Sequence, residues 1–183
     1  LSLENCDVSG NRNSMEEEKE PYTVKIGGQS SPAPKSISFA MSDGSLISRN
    51  GDVFYIEGAD CELELNRIDL LNMGGGALLR VASKGERQET AVHLKAKQQT
   101  LSGNLMVDSD STLQLELTGT SLLSGAIVRS DDEAGNGYIS VKIDQSSTWV
   151  LTGDSTVDSL DNKGTIQYNG HCITLADGTV LRA

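Results

Sequence analysis

Apolar residues recur along this chain in short alternating pairs: Leu1/Leu3, Ile37/Phe39, Leu63/Leu65, Val92/Leu94, Leu113/Leu115, Ile139/Val141 and Ile166/Tyr168. Strict alternation marks strands with one buried face. The pairs return at steps of roughly 21–36 residues, a period that belongs to repeat architectures. The two best-matching blocks, Leu1–Val8 and Leu63–Leu70, share the pattern L-x-L-x-x-Φ-D-Φ, with Φ apolar. Their alignment places Cys6 with Ile68, facing inward.

Two further apolar series follow each pair in constant order. The second is Leu46, Leu70/Leu71, Leu101, Leu122, Val150/Leu151 and Ile173. The third is Val53/Tyr55, Leu78/Leu79, Leu105/Val107, Ile127, Val157/Leu160 and Val180. Three short strands per unit, each too short to bury its face alone, predict a coil that stacks on its neighbours. The expected fold is therefore all-β, a right-handed parallel β-helix of about seven coils. One stacked internal ladder is expected at Leu65, Leu94, Leu115 and Val141. A β-sandwich shares the alternation and is the alternative, but it gives no reason for three series to recur in one order.

Polar stretches interrupt the pattern. Met15–Glu20 is an acidic run with no place in a core, and Pro32 and Pro34 cannot donate to a central ladder. Insertion loops are expected near 10–20, 27–35, 82–90 and 130–137, leaving at turns without disturbing the stack. Leu-Ser/Thr-Gly recurs at Leu101–Gly103, Leu117–Gly119, Leu123–Gly125 and Leu151–Gly153 as a corner signal. Gly74–Gly76 reads as another corner, since no Lys-Ser/Thr follows it to make a phosphate loop. Residues 1–183 form one domain in this reading. An alternating segment that begins at residue 1 implies a piece of a longer protein.

Composition narrows the function. Fifteen Lys and Arg against 26 Asp and Glu give a net charge of −11, a sign that repels nucleic-acid phosphates and anionic lipid headgroups. No apolar run reaches the roughly 18–20 residues of a membrane-spanning helix. Cys6, Cys61 and Cys172 are odd in number and widely spaced, which predicts three free thiols.

Several segments resemble known sequences. Gly51–Tyr55, Ala77–Arg80, Gln99–Asn104, Val107–Ser109 and Ser147–Ser155 occur in this order. They are similar to the pectin-lyase-like, right-handed parallel β-helix surface proteins of bacteria, often described as adhesin-like. The Ser-Thr-Trp-Val-Leu-Thr-Gly-Asp-Ser block, with Gly164–Leu175 after it, resembles the last coils of autotransporter passenger domains. The resemblance spans most of residues 37–180. It implies secretion or display at the cell surface and a structural or binding role. The implied partner is an extracellular glycan or a host or cell-surface protein, met by a monomer without membrane insertion.

Folds of this kind also include polysaccharide lyases, which use clustered acids for calcium and an Arg or Lys as base. Asp108 and Asp110 lie two apart, and Asp131, Asp132 and Glu133 follow one coil later. Together they sketch an oxygen-rich calcium site, against the alternative of solvated acidic turns. Calcium is the one cofactor the sequence admits, and Arg80 and Arg129 are the candidate bases. His93, between Val92 and Leu94, points outward by alternation, and no Ser or Cys sits in a nucleophile elbow. For sugar stacking the candidates are Trp149 and Tyr138, although Trp149 on a strand equally fills a core. A non-catalytic adhesive or ligand-binding module is the leading reading, and a carbohydrate-active lyase is the alternative.

Overall fold

A computed structural model describes residues 1–10, 22–27, 36–84, 89–130 and 135–183. The protein is all-β, with no helix among the described residues. Its strands are β1 (Ser2–Gly10), β2 (Tyr22–Ile26), β3 (Ile37–Ser48), β4 (Asp52–Glu57), β5 (Cys61–Asn72), β6 (Leu79–Ala82) and β7 (Ala91–Lys97). There follow β8 (Thr100–Ser102), β9 (Leu105–Val107), β10 (Thr112–Thr118), β11 (Leu122–Ser124), β12 (Ile127–Arg129) and β13 (Ile139–Ile143). The last are β14 (Thr148–Val150), β15 (Ser155–Val157), β16 (Ser159–Asn162), β17 (Thr165–Gln167), β18 (Ile173–Leu175) and β19 (Val180–Leu181).

Consecutive strands seldom pair. One sheet runs β1-β3-β5-β7-β10-β13-β16, a second β17-β14-β11-β8, a third β12-β9-β6-β4-β2, and a fourth β15-β18-β19. Every strand pairing among the described residues is parallel except β18 with β19. The chain thus returns to the seven-stranded sheet after every one or two intervening strands, each time one strand further along.

The inward side chains form apolar ladders across these sheets. Phe39, Leu63, Leu94, Leu115, Val141 and Leu160 lie opposite one another in the first. Leu101, Leu123, Trp149 and Ile166 do so in the second. Val24, Phe54, Leu79, Leu105 and Ile127 do so in the third. All converge on one core. The Leu1–Val8 and Leu63–Leu70 blocks superpose through β3 as their patterns predict, Cys6 and Ile68 both lying opposite Gly44. Cys6, Cys61 and Cys172 are unpaired, and burial pushes the Cys61 thiol up to about 11.

Four assignments shift. Leu65 lies opposite Ala96, so Leu63 takes its place beside Leu94. Leu123 and Trp149, rather than Leu122 and Val150, face the core, and Ile166 stacks beneath Trp149 in the second sheet. Phe54 is buried and Tyr55 faces outward. Each pair offers two adjacent or alternate apolar residues, and a one-residue slip exchanges the faces of a strand.

The corner between the first two sheets is built from residues with positive φ. Asn5, Asp43, Arg67 and Gln98 have φ of 50–53° and stack strand over strand. Non-glycine residues reach this region at a cost of order 1 kcal/mol each. Arg67 offsets it by donating two hydrogen bonds of 2.9 Å to Asp43 and another of 3.3 Å to Gln98. Gly44 follows at the same corner, where a Cβ would lie 2.2 Å from the Cys6 carbonyl oxygen. Just inside, Gln99 is 1% exposed. Its side-chain amide accepts from Ile68 N–H at 2.8 Å and donates to Ile68 O at 2.9 Å, filling a place in the backbone ladder. Gln99 N–H then donates to Ser121 Oγ, and Ser121 N–H to Ser147 Oγ, both at 3.1 Å.

Asp144 ties two successive turns. Its carboxylate accepts from Gly119 N–H at 2.7 Å and from the N–H and hydroxyl of Ser146 at 2.9 Å. Burial pulls its pKa up, but the hydrogen bonds from Gly119, Ser147 and Ser146 outweigh that and bring it from 3.8 to about 2. A carboxylate whose folded pKa is depressed contributes stability that is present above its unfolded pKa and lost as pH falls through the folded one. The melting-temperature gap between wild type and Asp144→Asn is therefore expected to narrow between about pH 4 and pH 2. A gap independent of pH over that window would remove the ionised form from the account.

Candidate functional site

The seven-stranded sheet carries alternating charge on its outer face. Glu64, Lys95, Glu116, Lys142 and Asp161 stand opposite one another on successive strands. Lys95 lies 2.9 Å from Glu62 and 3.5 Å from Glu64, and Lys142 lies 3.6 Å from Glu116. His93 does face outward, with Nδ1 3.4 Å from Glu62 and Nε2 3.8 Å from Glu116. Each of the two lysines thus stands among acidic neighbours along the stack.

The acidic candidates at the turn after β9 do not converge. Asp108 accepts from Ser83 N–H at 2.5 Å and Ser83 Oγ at 2.7 Å. Burial raises its carboxyl, but bonds from Ser111 and Ser83 hold it below the usual carboxylate range. Asp110 is exposed and accepts instead from Asn136 N–H at 3.5 Å. Asp131, Asp132 and Glu133 lie outside the described residues, as do 11–20 and 28–35 of the first two expected insertions, 85–88 of the third and 131–134 of the fourth. Among the described residues no three His, Cys, Asp or Glu side chains are grouped to hold a metal ion.

The cation that this corner holds is Arg129. Its guanidinium donates to Asp108 O at 3.0 Å, Gly137 O at 2.9 Å and Asp158 Oδ2 at 2.9 Å. Arg80 is likewise engaged, its Nε 2.6 Å from Asp52 Oδ2. Neither candidate base stands apart from a carboxylate.

The two aromatic candidates separate. Trp149 has no exposed surface. Its indole N–H donates to Gly125 O at 3.0 Å, and its ring fills the core between Leu123 and Ile166. It offers no face to a sugar, so its place as a stacking residue is corrected to a core role. Tyr138 is 47% exposed and stands away from Trp149, before β13.

A different cluster gathers on the outer face of the sheet β2-β4-β6-β9-β12. Tyr22 and Tyr55 stack with centroids 5.8 Å apart and planes at 17°. Lys25 Nζ lies 5.0 Å from the Tyr55 ring centre and 3.2 Å from Glu57. The Tyr55 hydroxyl donates to Glu57 at 3.0 Å. Burial, then the bond and charge of Glu57, push its pKa up to about 12. In register, Tyr55 lies opposite Arg80, and Arg80 opposite Met106. Beside them is an open groove of about 390 Å³ lined by Asp52, Gly75, Arg80, Asn104 and Met106. No local motif announces this site, because pairing assembles it from four strands, β2, β4, β6 and β9. Tyr55 was assigned to the third apolar series, and only the neighbouring Phe54 offered a sign that it turns outward.

Compared with known protein families, curated proteins and solved structures, the chain finds no match.

Proposed function

We propose that the chain is a right-handed parallel β-helix of about seven coils that acts as a non-catalytic binding module, secreted or displayed at a bacterial surface. Its partner is an extracellular glycan or a cell-surface protein, met by a monomer. The observation that carries this reading is the structural employment of the titratable groups nominated for chemistry. Asp108 is bound to Ser83, Asp52 to Arg80 and Asp158 to Arg129. Each of these carboxylates is taken up by a partner on or beside a neighbouring strand, so these groups tie one coil to the next. The parallel sheets support the solenoid, since return to the same sheet after each repeat is what a closed coil requires. Long outer faces of stacked strands suit an extended partner.

The test is a glycan array run with and without calcium, beside an assay for cleavage of polygalacturonate. Binding without turnover is expected. Calcium-dependent cleavage that is lost in Asp108→Ala or Asp110→Ala would establish the lyase instead. It would also place calcium at Asp108 and Asp110 with Asp131, Asp132 and Glu133.

A further inference from the structure

We propose that the outer face of the sheet β2-β4-β6-β9-β12 binds an uncharged oligosaccharide, with Tyr55 as the stacking platform and the groove beside Arg80 as its principal subsite. This rests on the glycan-binding reading above and assigns it a place and a ligand class.

Three observations meet here. The first is aromatic surface beside polar groups: Tyr22 and Tyr55 are half-buried and held by mutual stacking and by Lys25. Tyr22 covers one face of Tyr55 and Lys25 lies over the pair, so a sugar meets the half-exposed remainder of a rigid two-ring surface, which loses little freedom on binding. The second is the groove. Its volume falls within the range of small-molecule sites, and its lining sets the fixed polar groups of Asp52, Arg80 and Asn104 among glycine backbone and Met106, groups able to orient a hydroxyl-rich ligand. Asp52 is 5% exposed and accepts from both Ala77 N–H at 2.7 Å and Arg80. That pair fixes the guanidinium plane, as carboxylate–arginine pairs do. The Asn104 side-chain oxygen accepts from Ala126 N–H at 2.9 Å, which fixes the amide, and the residue is exposed. Met106 adds an adaptable apolar wall.

The third observation is charge. Each cation on this face has its own acid, Lys25 with Glu57 and Arg80 with Asp52, so the patch is locally neutral. The chain around it carries −11 and repels uronates at long range. Hydroxyl-rich, uncharged sugars are the class that fits. Strands about 4.8 Å apart also repeat at close to the length of one pyranose unit, so a glycan lying along the stack meets a new strand with each residue.

The discriminating position is Gly75. Its φ is +70° and a Cβ placed there meets nothing within 4 Å. Asparagine tolerates this backbone region, so Gly75→Asn fills the groove without a clash in the fold. The probe is an array of neutral gluco-, manno- and galacto-oligosaccharides beside uronate oligosaccharides, followed by affinity measurements on the best-bound neutral sugar. Tyr55→Leu and Gly75→Asn are each expected to weaken it at least tenfold, with melting temperature held in Gly75→Asn and with Tyr138→Ala unchanged. Retention of wild-type affinity by both variants overturns the site while leaving the glycan reading intact, as does loss confined to Tyr138→Ala. Binding of uronates alone overturns the uncharged class. A wild-type chain that binds no sugar on the array removes the glycan reading itself.

Discussion

Leu115→Asp will yield no soluble folded protein. Leu115 is 1% exposed and lies between Leu94 and Val141 in the longest apolar ladder. Truncation of such a leucine costs about 2–5 kcal/mol, and an unpartnered carboxylate adds several more. The sum rivals the whole stability of a typical domain, about 5–15 kcal/mol. Leu115→Ala separates register from general fragility. It is expected to remain soluble and to lose about 2–5 kcal/mol in chemical denaturation. An alanine variant with wild-type stability would mean that this side chain is not internal.

Arg129→Met is expected to destabilise by about 2–4 kcal/mol. The guanidinium, 22% exposed, satisfies two backbone carbonyls and Asp158, itself 20% exposed. Methionine keeps the stem and abandons those acceptors, while Asp158 retains only the Ile139 N–H at 2.6 Å. Lys142→Met provides the comparison. Lys142 is 56% exposed and 3.6 Å from Glu116, and surface pairs of this kind contribute about 0–1 kcal/mol. Equal denaturation midpoints for the two variants would reduce Arg129 to another surface charge.

Much of the fold was legible because alternation is a physical requirement of a strand with one wet face. Leu63, Leu94, Leu115 and Val141 all obey it, and the shared block at Leu1–Val8 and Leu63–Leu70 aligns Cys6 with Ile68, both of which lie opposite Gly44. Alternation fails where neighbours are equally apolar. Leu122-Leu123, Trp149-Val150 and Phe54-Tyr55 each satisfy a core position with either member. The packing around them decides, and that packing comes from coils distant in sequence. Arg67 illustrates a deeper limit. Arginine has no intrinsic leaning to positive φ, and its conformation follows from the Asp43 carboxylate stacked beneath it. The groove was illegible for the same reason, since Asp52, Gly75, Arg80, Asn104 and Met106 become neighbours only after three separate segments are laid side by side.

The polar inner corner at Gln99 bears on how such a chain avoids misthreading. Sliding β5 by two residues against β7 would set Leu65 beside Leu94 and Leu63 beside Val92, and the oily contacts would be as good as the native ones. Hydrophobic collapse therefore has no means of telling the two alignments apart. The corner does, because Gln99 accepts from Ile68 N–H and donates to Ile68 O and Thr100 O directly after the positive-φ turns at Arg67 and Gln98, and a shifted strand carries those two turns out of line. The glutamine works within it as a proofreading tooth. Its replacement by leucine would threaten fidelity more than stability, converting one ordered product into a mixture of frame-shifted ones.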